Sequence, residues 1–201
     1  MLDAREQRSL TQRQLLTANP KAILLSATMN IPGPVKTSPD LQRVFEQVLA
    51  AVHAHPTLVA TEPLTKVVRE KATGPEYYQL FDLPAKDLKL AMIEIEQSHP
   101  WGRLLDLDVL YCESSAHDGG AEVADLDDSG EKTEQLDLAG PTIDPFFIKS
   151  ISRSDLDLPS RQCLICEDDA KACGRSRKHS IEEMQAAITH LIENERENVN
   201  D

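Results

Sequence analysis

Residues 99–109 read His-Pro-Trp-Gly-Arg-Leu-Leu-Asp-Leu-Asp-Val, and the core Asp106-Leu107-Asp108 is the most informative feature of the sequence. Its second half alternates aliphatic and acidic residues, in the order Leu105, Asp106, Leu107, Asp108 and Val109. Side chains two positions apart share a face of a β-strand, so the aliphatic groups face a core and the two carboxylates point together away from it. We therefore predict a half-buried strand that carries a pair of carboxylates.

This carboxylate pair suggests a metal site. Two negative groups at that spacing repel each other and gain no packing energy. Mg²⁺ offsets the repulsion, because it binds carboxylate oxygens and keeps coordination positions open for phosphate. Such a site suits phosphoryl or nucleotidyl transfer. The alternative is the ordinary polar face of a surface strand, and an Asp-x-Asp pattern alone does not decide between the two.

Hydrophobic periodicity and turn residues predict the other elements. Helices are predicted over residues 3–17, 40–53 and 84–98, and a last helix begins where Ser180 and Glu183 form a capping box. Strands are predicted over residues 22–29, 58–62, 64–70, 76–83 and 147–152. This pattern is typical of an α+β fold in which a mixed or antiparallel sheet is flanked by helices.

Charge is distributed unevenly along the chain. The net charge of the 201 residues is −13, and ten acids against one lysine lie between Glu113 and Asp144. This stretch is poor in large apolar side chains, so we expect residues 113–145 to be a flexible, disordered acidic insertion. We expect a single domain over residues 1–201, with a cysteine-rich segment and helix at residues 161–195.

The composition also limits the location and the partners. The longest aliphatic run is four residues, far too short to span a bilayer, and the first residues lack an apolar signal region. We therefore expect a cytoplasmic protein without a membrane partner. The negative net charge argues against nucleic acid as a partner, because its phosphates would be repelled.

Several short motifs together carry a family resemblance. They are Pro32-Gly33-Pro34-Val35-Lys36, Gly74-Pro75-Glu76, Asp87-Leu88-Lys89-Leu90-Ala91, Ser98-His99-Pro100, Gly102-Arg103-Leu104, Asp106-Leu107-Asp108-Val109, Ile151-Ser152-Arg153 and Cys163-Leu164-Ile165-Cys166. The series resembles the holo-citrate lyase synthase family, also called apo-citrate lyase phosphoribosyl-dephospho-CoA transferase. The resemblance covers most of the chain outside the acidic segment, where this sequence is longer.

The resemblance implies a reaction. The family transfers a phosphoribosyl-dephospho-CoA group from 2'-(5''-triphosphoribosyl)-3'-dephospho-CoA to a serine of the citrate lyase acyl carrier protein, and diphosphate leaves. The attack falls on the α-phosphorus, so by analogy the fold is expected to be nucleotidyltransferase-like. Two alternatives stay open: a non-catalytic assembly factor that binds the carrier protein, and a nucleotidyltransferase with another acceptor.

Candidate site residues follow from the motifs. Asp106 and Asp108 are assigned to catalysis and to Mg²⁺ binding. Arg103 has a planar guanidinium that suits phosphate oxygens, although it could instead pair with nearby acids. Lys36 follows Gly33, where the backbone could approach an anion of the substrate. The alternative for Lys36 is a surface lysine in a tight turn.

Further candidates flank the acidic strand. Lys89 and Glu94 lie on the preceding predicted helix, as substrate-binding residues or as part of a solvated helix face. His99 could orient phosphate or accept the serine proton, or it could simply end the helix. Arg153 and Arg161 could contact the dephospho-CoA portion or balance nearby acids.

The last candidate site is a cluster of possible zinc ligands. Cys163, Cys166, Cys173 and His179 form the pattern C-x2-C-x6-C-x5-H, which could close a tetrahedral Zn²⁺ site. The alternative is a helix over residues 161–173, in which the first two cysteines pack as small hydrophobic side chains. A basic run beside the cluster is predicted to receive the acidic carrier protein. It comprises Lys171, Arg175, Arg177 and Lys178.

Overall fold

The computed structural model describes residues 2–33, 36–61, 64–114 and 146–200. The helices are α1 (Leu2–Ala18), α2 (Pro39–Ala54), α3 (Pro56–Val59), α4 (Ala85–Ser98), α5 (Ala170–Ser176) and α6 (Ile181–Asn200). The strands are β1 (Ile23–Met29), β2 (Thr65–Lys71), β3 (Gly74–Phe81), β4 (Leu105–Ser114) and β5 (Phe146–Ser150). Short 3-10 turns span Gly102–Leu104 and Ser154–Leu156. The predicted α+β class is confirmed.

The five strands form one antiparallel sheet in the order β2-β3-β1-β4-β5. Strand β4 lies between β1 and β5, and its register on β1 places Ser26 opposite Asp108 and Thr28 opposite Asp106. On the other side of β1, Thr28 lies opposite Glu76. Directly paired residues of an antiparallel sheet share a face, so these polar groups form neighbouring rows on one side of the sheet.

The two faces of β4 have different surroundings, as its alternating sequence predicts. Leu105, Leu107 and Val109 are buried in the main core together with residues of α2 and α4. The opposite face carries the two aspartates and, farther along the strand, Leu110, which packs against a second, smaller core beside α1. The strand therefore presents its carboxylates on the side of the sheet that α1 covers only in part.

The chain around α2 follows its sequence signals. The Ser38 side chain accepts a hydrogen bond from the amide of Leu41 at 3.1 Å, and Pro39 occupies the first turn. The predicted apolar stripe is buried; it consists of Leu41, Val44, Phe45, Val48, Leu49 and Val52. Similarly, the capping box at α6 is confirmed, because Ser180 and Glu183 exchange side-chain-to-backbone hydrogen bonds at 2.7 and 3.0 Å.

The predicted strand over residues 58–62 is wrong. The chain there forms the helical turn α3, which begins at Pro56 and is capped by the side chain of His55. A proline in the first turn fixes a helical φ, and this local preference outweighs the short apolar run. The alternative of a helix over residues 161–173 is also wrong, since helix occurs only from Ala170 onward.

The first two residues of the predicted acidic insertion, 113 and 114, are among the described residues. Strand β4 continues to Ser114 and pairs there with Phe146, so the first residues of the predicted insertion belong to the sheet. Residues 115–145 lie outside the described residues, and their expected flexibility stays a prediction. Across the helices of the described ranges, none combines the length and the apolar character needed to cross a bilayer.

Gly102 fixes the approach of the turn before β4 to the end of α4. A Cβ atom at this position would lie 2.4 Å from the carbonyl oxygen of Ile95 and 2.8 Å from Cα of Glu96. We expect Gly102→Ala to lower the free energy of unfolding by about 1–3 kcal/mol, because backbone atoms must move to relieve the overlap. Urea denaturation measures this change. Gly174→Ala is the control, since its Cβ meets no atom within 4 Å, and an equal loss there would contradict the explanation.

Candidate active site

The two predicted carboxylates lie side by side on the accessible face of β4. Asp106 is partly exposed and Asp108 is exposed. Beside them on β1, the hydroxyl-bearing residues Ser26 and Thr28 are buried. The side chain of Gln12 on α1 donates a hydrogen bond of 3.0 Å to Ser26 Oγ, so α1 borders the site. The alternation predicted from the sequence thus places both carboxylates on one side of the sheet.

An arginine contacts one of the two carboxylates. Nη1 of Arg161 lies 3.1 Å from Oδ1 of Asp106, and its Nε lies 2.7 Å from a carboxylate oxygen of Glu96. Glu96 also pairs with Arg153 at 3.0 Å. Its carboxylate is buried, and the two guanidinium groups more than offset that burial, so the pKa of Glu96 is lowered. Glu96 therefore fixes two arginines at the edge of the site.

Lys89 approaches the same strand from α4. Its ammonium group donates a hydrogen bond of 3.1 Å to the carbonyl oxygen of Leu107. Strand β5 pairs only with residues 110–114 of β4, so this carbonyl belongs to the part of β4 that β5 does not cover. Burial lowers the pKa of Lys89, and the negative charges of Asp108 and Glu96 oppose that effect. The lysine brings positive charge to the carboxylate pair.

Electrostatics distinguish Asp108 from its neighbour. The pKa of Asp108 is raised above its ordinary value, first by partial withdrawal of the carboxylate from water and then by the negative charge of Asp106. Lys89 and Arg161 act in the opposite direction without cancelling these effects. Arg161 contacts Asp106, and Asp108 is the more exposed member of the pair. Two carboxylates of this kind fit a hard divalent cation such as Mg²⁺.

The raised pKa of Asp108 predicts a stability cost at neutral pH. Protonation of Asp108 favours folding below its ordinary pKa of 3.8, and this contribution is lost as pH rises through the higher folded-state value. We expect Asp108→Asn to raise Tm at pH 7 by ~1–3 °C in metal-free buffer, with no difference at acidic pH. Thermal unfolding measures this shift. The exposed Asp82→Asn should not change Tm, and a lower Tm for Asp108→Asn would refute the prediction.

A cavity lined by arginines adjoins the carboxylates. It has a volume of about 710 Å³ and lies between residues 30–32, which follow β1, and the C-terminal residues 161–184, with Arg103, Arg161 and Arg177 in its wall. Arg161 borders both this cavity and Asp106. Arg103 donates a hydrogen bond to the carbonyl oxygen of Gln162, and no ion pair to the aspartates is among its described contacts. Three guanidinium groups around one cavity suit a polyphosphate.

Three other predicted residues have contacts away from the carboxylates. Gly33 has a φ of 93° and packs against Gln185 of α6. The backbone of Lys36 lies against Gly74, at the β2–β3 hairpin. Glu94, with a side chain 72% exposed, pairs with His55 at 3.3 Å. Substrate binding by these residues stays a prediction, and none of their described contacts joins them to Asp106 or Asp108.

His99 and Arg153 have defined structural contacts. Nδ1 of His99 accepts a hydrogen bond of 3.1 Å from the amide of Trp101, which shapes the turn after α4. Arg153 pairs with Glu96, as one of its two sequence-based interpretations expects.

The four possible zinc ligands converge, with all their ligand atoms within 4.8 Å of one another.

Sequence reasoning missed Glu96, which connects the arginines to the site. A signal was present, because Glu96 follows Lys89 by seven residues and therefore shares its face of α4. This face borders the apolar stripe, so a charged residue there becomes buried. Sequence reasoning named Glu94 instead, which lies on the solvated side.

Comparisons with known proteins agree with one another. The family model described as apo-citrate lyase phosphoribosyl-dephospho-CoA transferase matches residues 1–118 and 142–195. A protein of Streptococcus pyogenes serotype M18 (strain MGAS8232), named probable apo-citrate lyase phosphoribosyl-dephospho-CoA transferase, is 43% identical over 96% of this chain and 83% of its own length. The apo-citrate lyase phosphoribosyl-dephospho-CoA transferase of Escherichia coli O1:K1 / APEC is 31% identical over 96% and 86%. Protein CitXG of Leuconostoc mesenteroides subsp. cremoris is 32% identical over 96% of this chain but only 34% of its own length.

Proposed function

The chain belongs to the apo-citrate lyase phosphoribosyl-dephospho-CoA transferase family, and from this premise we propose that it loads the citrate lyase acyl carrier protein with its prosthetic group. The serine oxygen of the carrier protein attacks the α-phosphorus of 2'-(5''-triphosphoribosyl)-3'-dephospho-CoA. A new phosphorus–oxygen bond forms, the bond to the β-phosphate oxygen breaks, diphosphate leaves, and the serine proton passes to solvent or to a base. The proposed reaction is a nucleotidyl transfer, and the proposal of a nucleotidyltransferase-like fold follows from it by analogy.

The observation that carries this proposal is the position of Arg161 between the carboxylate pair and the arginine-lined cavity. It contacts Asp106 on one side and lines the arginine-rich cavity on the other. A triphosphate bound in the cavity would therefore extend toward the carboxylate pair. Arg103 and Arg161 bind the phosphates of the precursor, as their forked N–H groups match phosphate oxygens.

The remaining residues orient the reacting groups. Asp106 and Asp108 would hold Mg²⁺, which supplies positive charge to the triphosphate and to the leaving diphosphate. Glu96 keeps Arg161 beside Asp106 through their 2.7 Å contact. Lys89 holds the backbone of β4 at Leu107, so the two carboxylates stay aligned on one edge of the site.

A mass measurement tests the reaction directly. Apo carrier protein is incubated with the triphosphate precursor, Mg²⁺ and this protein, and its intact mass is recorded together with released diphosphate. We expect a mass gain equal to the prosthetic group and one diphosphate for each loaded carrier protein. Binding of the carrier protein without diphosphate release would identify an assembly factor instead. Modification of a different acceptor, but not of the carrier protein, would identify another nucleotidyltransferase.

The basic surface of α5 is the proposed docking surface for the carrier protein. Lys171 and Arg175 are exposed on α5, whereas Arg177 lines the cavity and Lys178 pairs with Asp168. We expect reversal of charge at Lys171 and Arg175 to raise KM for the carrier protein about 10-fold or more at low salt, because complementary charges speed association. KM for the precursor should change little.

Steady-state kinetics with each substrate varied in turn distinguish the two effects. Lys21→Glu, at an exposed position before β1, is the matched control and should leave both KM values unchanged. Equal increases in both KM values for the Lys171→Glu/Arg175→Glu variant would count against docking on α5. The effect should also shrink at high salt, since salt screens charges on exposed surfaces.

A further inference from the structure

The C-terminal region brings four possible ligands of a soft metal to one point. The Sγ atom of Cys166 lies 3.2 Å from Nε2 of His179 and 3.6 Å from Sγ of Cys173, and Cys163 completes a group within 4.8 Å. Zn–S bonds of about 2.3 Å in a tetrahedron place neighbouring ligand atoms roughly 3.5–3.8 Å apart. We propose that these four residues bind a structural zinc ion in a closed site.

Separate elements deliver the ligands. Cys163 and Cys166 lie in the loop before α5, Cys173 lies in α5, and His179 lies two residues before the start of α6. Each element has its own local support. Asp169 caps α5 by accepting a hydrogen bond from Ala172 at 2.7 Å. A cluster assembled from separate, individually supported elements is typical of a metal site rather than of incidental cysteine packing.

Hydrogen-bond donors and a cation lie beside two of the sulfur atoms. Backbone N–H groups of Ile165 and Cys166 point to the sulfur of Cys163, and the ammonium group of Lys178 lies 3.7 Å from the sulfur of Cys166. Three thiolates and one Zn²⁺ carry a net charge of about −1, which hydrogen bonds and a nearby cation partly neutralise. These contacts are the outer partners that a Cys₃His zinc site requires.

Burial of apolar groups alone gives the segment from residue 157 to 180 little stability. Among its described residues from 157 to 180, the buried hydrophobic positions are Cys163 and Cys173, while Ile165 is exposed. Leu164 packs against the main core from a partly buried position. Segments with so few apolar contacts usually need a cross-link or a metal to stay ordered. The proposed zinc ion is therefore the core of this segment.

The segment from residue 157 to 180, which contains the proposed zinc ligands, also positions Arg161 at the cavity. The amide of Ala170 donates a hydrogen bond of 2.8 Å to the carbonyl oxygen of Arg161, and Gln162 bridges to Asp169. The start of α5, which carries Cys173 as a ligand, is thus tied to the residue that contacts Asp106. Zinc contributes to the site by positioning Arg161 and does not touch the reacting atoms.

Metal analysis of the intact protein tests the proposal. The full chain is purified in reducing buffer without chelator, and its zinc content is measured by plasma mass spectrometry. We expect one zinc ion per chain. Replacement by Co²⁺ should give the intense visible absorption of a tetrahedral ion and the near-ultraviolet bands of thiolate ligation. A strong chelator should lower Tm by several degrees, and added Zn²⁺ should restore it.

Variants identify the ligands. Cys166→Ser and His179→Ala should lose most of the zinc, whereas Cys112→Ser, on β4 outside the cluster, should keep one ion per chain. If the ligand variants fail to fold, the Co²⁺ spectrum of the wild-type chain decides the question. A reduced wild-type chain without metal, a Co²⁺ spectrum lacking thiolate bands, or a disulfide among these cysteines in the active protein would each overturn the proposal.

Discussion

Replacement of Asp106 or Asp108 by Asn should reduce the rate of carrier-protein loading about 10²–10³-fold. Loss of one preorganised charged group at a reacting phosphorus typically costs about 3–4 kcal/mol of activation free energy. The substitution keeps the size of the side chain, so the sheet should remain intact. The rate is measured at saturating precursor from the increase in mass of the carrier protein with time.

The two aspartate variants should also differ in which kinetic constant they change. Asp106→Asn also removes one of the two charged partners of Arg161, so it should raise KM for the precursor, whereas Asp108→Asn should act mainly on kcat. Asp82→Asn, on an exposed position after β3, is the control and should keep full activity. A loading rate within about threefold of wild type for both variants would remove the carboxylate pair from the mechanism.

Replacement of Glu96 by Gln should give a large loss of stability. Its carboxylate is buried between Arg153 and Arg161, and neutralisation removes the negative charge that both guanidinium groups share, leaving Arg161 with Asp106 alone. We expect the free energy of unfolding to fall by about 2–3 kcal/mol and Tm by about 4–12 °C. Differential scanning calorimetry measures both quantities.

The dependence of this effect on pH has a definite sign. The pKa of Glu96 is lowered below its ordinary value of 4.5, so its stabilising contribution is present above that pH and is lost as pH falls through the folded-state value. The difference between wild type and Glu96→Gln should therefore disappear in strong acid. Glu94→Gln is the matched control, because this glutamate lies two residues away with a side chain 72% exposed. A similar Tm change in both variants would rule out the buried arginine pairs as the cause.

Local sequence patterns predicted the parts of the site that depend on one element. The period of two around Asp106 and Asp108 is a property of any strand, so their common face needed no knowledge of the fold. The stripe of α2 and the capping box at Ser180 are similarly local. The strand predicted over residues 58–62 failed because the helix-starting signal of Pro56 lay just outside the apolar run.

Contacts between distant segments were beyond the reach of these patterns. Glu96 and Arg161 are 65 positions apart, and only the packing of the C-terminal region against α4 brings them together. The sequence spacing named Cys163, Cys166, Cys173 and His179, but their convergence depends on the turn at Arg177, which has a φ of 50°. Sequence reasoning chose Glu94 instead of Glu96 because it could not show which face of α4 packs against Arg153 and Arg161.

The pairing of β4 with β5 has a consequence for how this family can vary. Ser114 meets Phe146 at one corner of the sheet, whereas Asp108 lies six residues away along β4, a distance of about 20 Å. A connection of any length can leave and re-enter the sheet at that corner without altering the spacing of the carboxylates. Natural selection can therefore lengthen the chain between these strands while the chemistry at the opposite end is conserved, and the unmatched residues 119–141 lie in that connection.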